Sequence, residues 1–152
     1  MTATESACAL PPPLGKYPRF RRAGDFVYIS GVSARMPDGS IDGVIVEGDA
    51  VRHDVAVQTR RVMHNVAQAL QSSGATLADC IDITAFLTRA EDFDAFNRVY
   101  GECVATPAPT RTTVVVRGLP HPDMVVEIKA VAWLRPSASS DAAPAREVDH
   151  AG

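Results

Sequence analysis

The sequence predicts one α/β (α+β) domain, in which a mixed β-sheet of about six strands carries two helices on one face. Three observations support this fold class. Strand-like and helix-like segments follow one another in the order β-β-(β)-α-β-α-β-β, two segments have helical periodicity, and several strand segments are apolar at consecutive positions. With 152 residues, of which 46% are hydrophobic and 22% charged, the chain has the size and composition of a single domain with one core.

The first elements are predicted from turn residues and apolar spacing. RFRRAGDFVYIS reads as two short strands joined at Ala23-Gly24-Asp25, which predicts a β-hairpin. The turn MPDGS precedes a candidate extra strand at residues 41–46. From about Ala50 to Ser73 apolar residues recur at helical spacing, and Gly74 stands where a left-handed residue would end the helix.

The second half of the chain contains three further strands and one helix. IDITAFLT reads as a strand, and Thr88-x-x-Glu91 predicts a capping box at the start of a helix. PAPT ends that helix, the β-branched RTTVVVRG predicts a strand, LPHPD a loop, and Met124 to Leu134 a final strand. The apolar stripe of the second helix comprises Phe93, Phe96, Val99 and Cys103, which places Cys103 in the core.

The sheet is expected to have one face that its own chain does not cover. Two helices can cover only one face, yet ITAFL, TVVV and MVVEI are apolar at consecutive positions, as in strands buried on both sides. An open apolar face would exceed the patch size that monomers tolerate, so the sequence predicts a homo-oligomer whose sheets pack together.

The ends of the chain differ in composition from its middle. Residues 1–14 contain three consecutive prolines and are predicted to be a flexible tail, and the small, polar residues 136–152 are predicted to be disordered. The folded domain is therefore expected at residues 15–135.

Charge, cysteine content and motifs exclude several functions. A net charge of -3 gives no general field for nucleic acid, no segment is long and apolar enough to span a bilayer, and three scattered cysteines fit reduced thiols. Nucleotide-binding and acyl-serine motifs are missing, and His53 and His64, both on the predicted helix surface, would be about 16 Å apart, too far to share a metal. We expect a cytoplasmic protein with no metal or cofactor and no nucleic-acid or membrane partner.

Charged side chains on the last two strands are the main candidates for chemistry. Glu127 shares a strand face with Lys129, so it is either part of a solvated ion pair or a carboxylate placed in a pocket. Arg111 is either a charge that protects a strand edge or a clamp for a carboxylate. If the two strands paired around LPHPD, Arg111 and Glu127 would share one cavity suited to hydrolysis of an anionic substrate.

Other polar residues have two interpretations each. Tyr17 could cap the hairpin or contact a ligand, and Ser30-Gly31 could be a bulge or a site segment. Asn97 could be a solvated helix residue. Four arginines make the hairpin region basic, and their default interpretation is an exposed edge kept soluble by charge: Arg19, Arg21, Arg22 and Arg35.

Five segments spread over residues 15–134 resemble, in order and spacing, the reactive-intermediate deaminase (Rid, or YjgF-like) family. They are AGDFVYISG, QTRRVMHNVAQAL, ITAFLTRAEDFDAFNRVY, PTRTTVVV and LPHPDMVVEIKAVA. The resemblance implies a chorismate-mutase-like fold assembled as a trimeric barrel, with sites between subunits. It also implies hydrolysis of a small anionic enamine or imine without a cofactor.

The resemblance also implies roles for individual residues. Arg111 would bind the substrate carboxylate and Glu127 would position or activate water. Thr113 stands where general imine-hydrolysing members often carry Cys, and Val32 where they carry Gln, which favours a specialised substrate. Further residues at positions that match the family's site residues are Tyr17, Ser30, Gly31 and Asn97.

Two stretches indicate a branch of the family. SARMPDGSI and GLPHPDMVVEIKAVA most resemble the members that deaminate 2-aminomuconate, a dicarboxylate, and Arg35 or His121 would bind its second carboxylate. Two alternatives stay open at this point. One is general hydrolysis of 2-imino acids such as that formed from 2-aminoacrylate, and the other is a non-catalytic trimer that binds ligands or acts like a chaperone.

Overall fold

A computed structural model describes residues 10–136, and its main sheet has five strands in the order β1-β2-β7-β5-β6. Neighbouring strands are antiparallel except β5 and β6, which are parallel. The fold is therefore the mixed α+β arrangement that the sequence predicts. The strands are β1 Phe20–Ala23, β2 Phe26–Ser33, β3 Val44–Glu47, β4 Ala50–His53, β5 Cys80–Leu87, β6 Thr110–Val115 and β7 Val126–Trp133, and the helices are α1 Val55–Ser72 and α2 Phe93–Cys103.

The N-terminal hairpin is confirmed. β1 and β2 pair from Phe20 opposite Ile29 to Ala23 opposite Phe26. Gly24 has a φ of 59°, a conformation that glycine adopts without strain, and this explains the tight connection.

The first helix starts later than predicted. Ala50–His53 is strand β4, which pairs with β3 in a separate two-stranded sheet, so the extra strand exists but does not join the main sheet. Asp54 then caps α1, because its carboxylate accepts a hydrogen bond of 3.0 Å from the amide of Val57. The prediction that the helix begins at about Ala50 was wrong, because the helical spacing of apolar residues does not reveal where the cap stands.

The end of α1 is as predicted. Gly74 has a φ of 84°, and its amide donates to the carbonyl of Gln71 at 3.1 Å. The amide of Ala75 donates to the carbonyl of Leu70 at 3.0 Å, which completes a Schellman motif. Because Leu70 and Ala75 are both buried, the same turn directs the chain back into the core.

The capping box predicted at Thr88 and Glu91 does not form. The Thr88 amide donates to the carbonyl of Val125, so this residue continues the pairing of β5 with β7. A 3₁₀ turn at Ala90–Asp92 precedes α2, and Arg89 pairs with Asp92 at 2.9 Å. The helix buries Phe96, Val99 and Tyr100, while Cys103 is partly buried against the core and Phe93 is exposed.

The two helices lie on one face of the sheet, as predicted. The core between the layers takes alternate residues of each central strand, and on β7 these are Val126, Ile128, Ala130 and Ala132. No helix within residues 10–136 covers the other face. It presents large side chains that are 38–45% exposed, namely Phe26, Tyr28, Val114 and Trp133.

The predicted pairing of the last two strands is wrong. β5 lies between β6 and β7, pairing in parallel with the former and antiparallel with the latter. The local sequence favoured a hairpin around LPHPD, but the chain crosses over β5 instead, and this changes where the charged residues of the two strands meet.

The predicted tails fall largely outside the described residues. Residues 1–9 and 137–152 lie beyond the described range, and the domain boundaries at 15 and 135 stay predictions. Residues 10–14, assigned to the N-terminal tail, lie against the body of the domain, where Arg19 and Arg35 bond to their carbonyl groups.

No helix within residues 10–136 has the length and apolar character needed to cross a bilayer.

Candidate active site

A pocket of about 400 Å³ opens between the N-terminal segment Leu10–Leu14 and the part of the sheet where the interior strands β2 and β7 pair. Part of its wall comes from α1. Its lining includes five of the nine site residues predicted from the sequence, namely Tyr17, Ser30, Gly31, Arg35 and Glu127.

A bulge in β2 shapes the pocket next to Glu127. Ile29 pairs with Ala130 and the next paired residue, Val32, faces Ile128, so β2 has one extra residue at Ser30–Gly31. A β-carbon on Gly31 would come within 3.0 Å of the carboxyl carbon of Glu127 and closer still to one of its oxygens. Gly31 therefore leaves the space that the carboxyl group occupies.

The carboxyl group of Glu127 has no partner within residues 10–136, since neither a hydrogen bond nor an ion pair reaches it there. Burial raises its pKa above the ordinary carboxyl value. A carboxylate that is partly removed from water and unpaired is suited to take a proton from a bound water molecule. The sequence left open whether Glu127 pairs with Lys129; in the structure both line the pocket without forming an ion pair.

The pocket is positively charged although the chain is not. Its charged lining consists of Arg19, Arg35, Lys129 and Glu127, which gives a local charge of +2 with Glu127 ionised, whereas the whole chain carries -3. Such a concentration of cations favours an anionic ligand. Arg19 and Arg35, whose default interpretation is an exposed edge kept soluble by charge, therefore also line the candidate site.

Hydrogen bonds hold the walls of the pocket in place. The Tyr17 hydroxyl accepts from the amide of Leu14 at 3.2 Å, and the Ser30 hydroxyl donates to the carbonyl of Pro18 at 2.6 Å. Asn65 on α1 is 4% exposed and donates to the carbonyls of Ser33 and Arg35 at 3.0 and 2.9 Å. Asn65 thus fixes the backbone that carries Arg35.

A second cluster of predicted site residues lies around Arg111 on the other side of the sheet. Its guanidinium donates to the side-chain oxygen of Asn97 at 2.8 Å and stacks on Tyr100, 4.6 Å from the ring centre. No carboxylate pairs with it within the described range. The hydroxyl groups of Tyr100 and Thr113 are buried without a hydrogen-bond partner among residues 10–136. The Arg111 cluster therefore has unpaired polar atoms beside a cation that has no carboxylate partner in this range.

Arg111 and Glu127 do not meet within one chain. Arg111 is opposite Ile83 of β5 and Glu127 is opposite Phe86, and residues three apart on a strand point to opposite faces. At about 3.3 Å per residue and 4.8 Å per strand, the two backbones are about 14 Å apart. The prediction that they share one cavity is therefore wrong for a single copy.

One histidine differs from its predicted place, and another lies outside the pocket lining. His53 is on β4, not on a helix, and its Nε2 lies 2.8 Å from the Asp123 carboxylate, whereas His64 is exposed on α1 as predicted. His121, predicted as a second carboxylate ligand, accepts a hydrogen bond from the Asp123 amide at 3.1 Å and is not part of the pocket lining.

Sequence reasoning missed three pocket residues as site residues: Arg19, Asn65 and Lys129. Asn65 had a usable signal, because it is a polar residue on the apolar stripe of a predicted helix. Arg19 had no signal in the sequence beyond its position two residues after Tyr17, because the pocket wall that it anchors belongs to a segment without regular structure.

Comparison with known proteins places the chain in a family. The family model described as Endoribonuclease L-PSP matches residues 8–134, so the chain belongs to that family. The 3-aminoacrylate deaminase RutC of Acinetobacter baylyi is 36% identical over 122 residues, covering 80% of this chain and 90% of that protein. Reactive Intermediate Deaminase A of Arabidopsis thaliana is 31% identical over 134 residues, which cover 88% of this chain and 65% of that protein.

Solved structures have the same fold. The crystal structure of TdcF from E. coli with bound serine is 32% identical, covers 83% of this chain and 94% of that chain, and superposes with a TM-score of 0.70. The fold and family expected from the sequence are thereby confirmed.

Proposed function

We propose that this protein is an enamine/imine deaminase and that its substrate is 2-aminomuconate. The observation that carries the proposal is the unpaired, partly buried carboxyl group of Glu127, which faces a pocket lined by three cations. Relatives named as deaminases of reactive intermediates and of 3-aminoacrylate support the reaction class.

The active unit is a homotrimer with its sites between subunits. Arg111 and Glu127 lie on opposite faces of the sheet in one chain, so one small substrate can touch both only if they come from different copies. The apolar side chains on the uncovered sheet face, which include Tyr28 and Trp133, are the surface that packs in this assembly.

The reaction is hydrolysis of the imine tautomer. Protonation of the enamine at carbon gives a C=N bond whose carbon is electrophilic, and Arg111 holds the neighbouring carboxylate. Glu127 takes a proton from water as the water oxygen bonds to that carbon. The carbinolamine then collapses, its C–N bond breaks, ammonia leaves with the transferred protons, and a carbonyl remains.

The cations of the pocket bind the second carboxylate of 2-aminomuconate. Arg35 lines the pocket with Glu127, whereas His121 does not, so Arg35 is the better supported of the two predicted ligands. Deamination of this dicarboxylate yields 4-oxalocrotonate and ammonia, and it needs no metal or cofactor.

The test is ammonia release from 2-aminomuconate generated in situ, with 2-aminoacrylate as the competing substrate. Wild-type protein, Arg111→Ala and Glu127→Gln are compared at equal concentration. The proposal predicts faster release from the dicarboxylate and loss in both variants. Preference for 2-aminoacrylate would overturn the substrate and leave the reaction class, and no release from either would overturn the enzyme function in favour of ligand binding.

A further inference from the structure

Two arginines of the pocket bind a short backbone segment instead of an acid. Arg19 donates through Nη2 to the carbonyls of Leu10 and Pro11 at 2.6 and 3.0 Å, and Arg35 donates through Nη1 to the carbonyl of Pro12 at 2.8 Å. These three carbonyls are consecutive in the chain, so the two guanidinium groups converge on one small region of the pocket wall.

We infer that Arg19 and Arg35 together form an anion subsite for the substrate carboxylate that is remote from the reacting carbon. Residues 10–12 occupy this subsite until the substrate displaces them. The inference rests on the proposed function for the chemistry at the reacting end. It adds Arg19, which no pattern in the sequence identifies, as a residue that determines specificity.

The charges of the two arginines are not compensated by any described residue. No carboxylate between residues 10 and 136 forms an ion pair with Arg19 or Arg35, and their observed partners are neutral carbonyls. A guanidinium group has five N–H donors in a planar fork that matches a carboxylate, and a carboxylate adds the attraction of opposite charges that a neutral carbonyl lacks. A carboxylate is therefore a better partner than the carbonyls that now occupy the two side chains.

Release of the segment leaves few backbone donors without a partner. Pro11, Pro12 and Pro13 have no backbone N–H, so its displacement leaves only carbonyl groups to bond with water. Within residues 10–14, the amide of Leu14 donates to the Tyr17 hydroxyl, and this bond can stay in place. Pro12 is exposed, and Leu10 and Pro11 are partly exposed, so water can reach the released carbonyls.

The test compares two inert ligands of the same length and double-bond geometry. trans,trans-Muconate has a carboxylate at both ends, whereas sorbate has one carboxylate and one methyl group. Calorimetric titration of the full chain should show that muconate binds at least about tenfold more tightly than sorbate, because an additional charge-assisted pair is formed. Arg19→Ala and Arg35→Ala should each lower this ratio severalfold.

A matched control is Arg21→Ala. Arg21 is an exposed arginine on β1 that does not line the pocket, so its removal changes the net charge equally and should leave the ratio at the wild-type value. An unchanged ratio in Arg19→Ala, or the same decrease in Arg21→Ala, would overturn the inference.

A second variant separates ligand binding from anchoring of the segment. Leu10 packs partly buried against the core, so Leu10→Ala loosens the segment without altering either arginine. The inference predicts that muconate binds Leu10→Ala as tightly as wild type or more tightly. If the arginines serve only to anchor the segment, Leu10→Ala and Arg19→Ala would weaken both ligands alike. Because the readout is binding, it stays informative even if no ammonia is released from 2-aminomuconate.

Discussion

Arg111 and Glu127 lie on the two strands that flank β5, yet their side chains point to opposite faces of the sheet. The guanidinium stacks on Tyr100 beneath α2, and the carboxyl group faces the pocket beside Gly31. A substrate that uses both residues must therefore lie where two copies of the chain meet. Each chain supplies one Arg111 cluster and one Glu127 pocket.

Removal of the Asn97 side chain should weaken substrate binding more than turnover. Asn97 accepts the hydrogen bond that orients Arg111, so Asn97→Ala should raise KM about tenfold, as expected for loss of one bond to a charged group. Asn97 is exposed, so the free energy of unfolding should change by less than about 0.5 kcal/mol. Steady-state kinetics and denaturant titration check both values, and a fall in kcat with unchanged KM would contradict this role.

A methyl group on Gly31 should collide with Glu127. Gly31→Ala should destabilise the fold by about 1 kcal/mol, because the flexible Glu127 side chain must turn its carboxyl group away from the added carbon. The double variant Gly31→Ala/Glu127→Ala should recover most of that loss, which a double-mutant cycle by thermal or urea unfolding would measure. If the two substitutions were additive, the close contact between the residues would not be the cause.

The raised pKa of Glu127 gives a signed pH dependence of stability. Burial disfavours the charged form of Glu127 in the folded state. The resulting loss of stability is absent below the ordinary carboxyl pKa and grows as the pH rises through the pKa of the folded state. Glu127→Gln should therefore be more stable than wild type at pH 7, and the difference should vanish at pH 3. Urea unfolding at the two pH values checks this, and greater stability of the wild type at pH 7 would refute it.

The same group should set the acid limb of activity. If deprotonated Glu127 is the base, kcat/KM should fall as pH drops through a midpoint above 4.5, the ordinary value for this carboxyl group. The pH profile of wild-type protein checks the midpoint. A limb of the same midpoint in the residual activity of Glu127→Gln would assign it to another residue.

A charge on the uncovered sheet face should disrupt assembly. Trp133 is 38% exposed on this face, so Trp133→Glu should reduce the oligomer mass, measured by light scattering. His64→Glu is the control, since His64 is exposed on α1 in the helical layer, and its mass should stay that of wild type. An unchanged mass in Trp133→Glu would mean that this face is not the interface.

Local sequence patterns were sufficient for most of the elements but not for their pairing. Gly24 and Gly74 mark the ends of elements because only glycine adopts their left-handed backbone without strain, and both positions were predicted correctly. The strand Ala50–His53 was read as helix, since Val51 fits either period and the cap at Asp54 is recognised only once its hydrogen bond is known. The pairing of β5 between β6 and β7 depends on contacts distant in sequence.

In the candidate site, too, some features were predicted from local sequence and others depend on tertiary contacts. Glu127 stands out in sequence as a carboxylate within a strand of apolar residues, and the structure brings it together with Ser30, Gly31 and Tyr17. Arg19 could not be found in this way, because its importance depends on the irregular segment that folds onto it. Local patterns identify residue types suited to chemistry, whereas the cavity arises from the tertiary fold.

The central claim, that one site takes Arg111 and Glu127 from different copies, is tested most directly by mixing inactive chains. Arg111→Ala and Glu127→Gln are co-expressed with different tags, and the mixed oligomers are isolated and assayed for ammonia release. In a cyclic trimer that contains both chains, about one third of the interfaces combine an intact Arg111 with an intact Glu127, so the isolated mixed oligomers should recover roughly one third of wild-type activity. Mixed oligomers as inactive as either parent would contradict the claim.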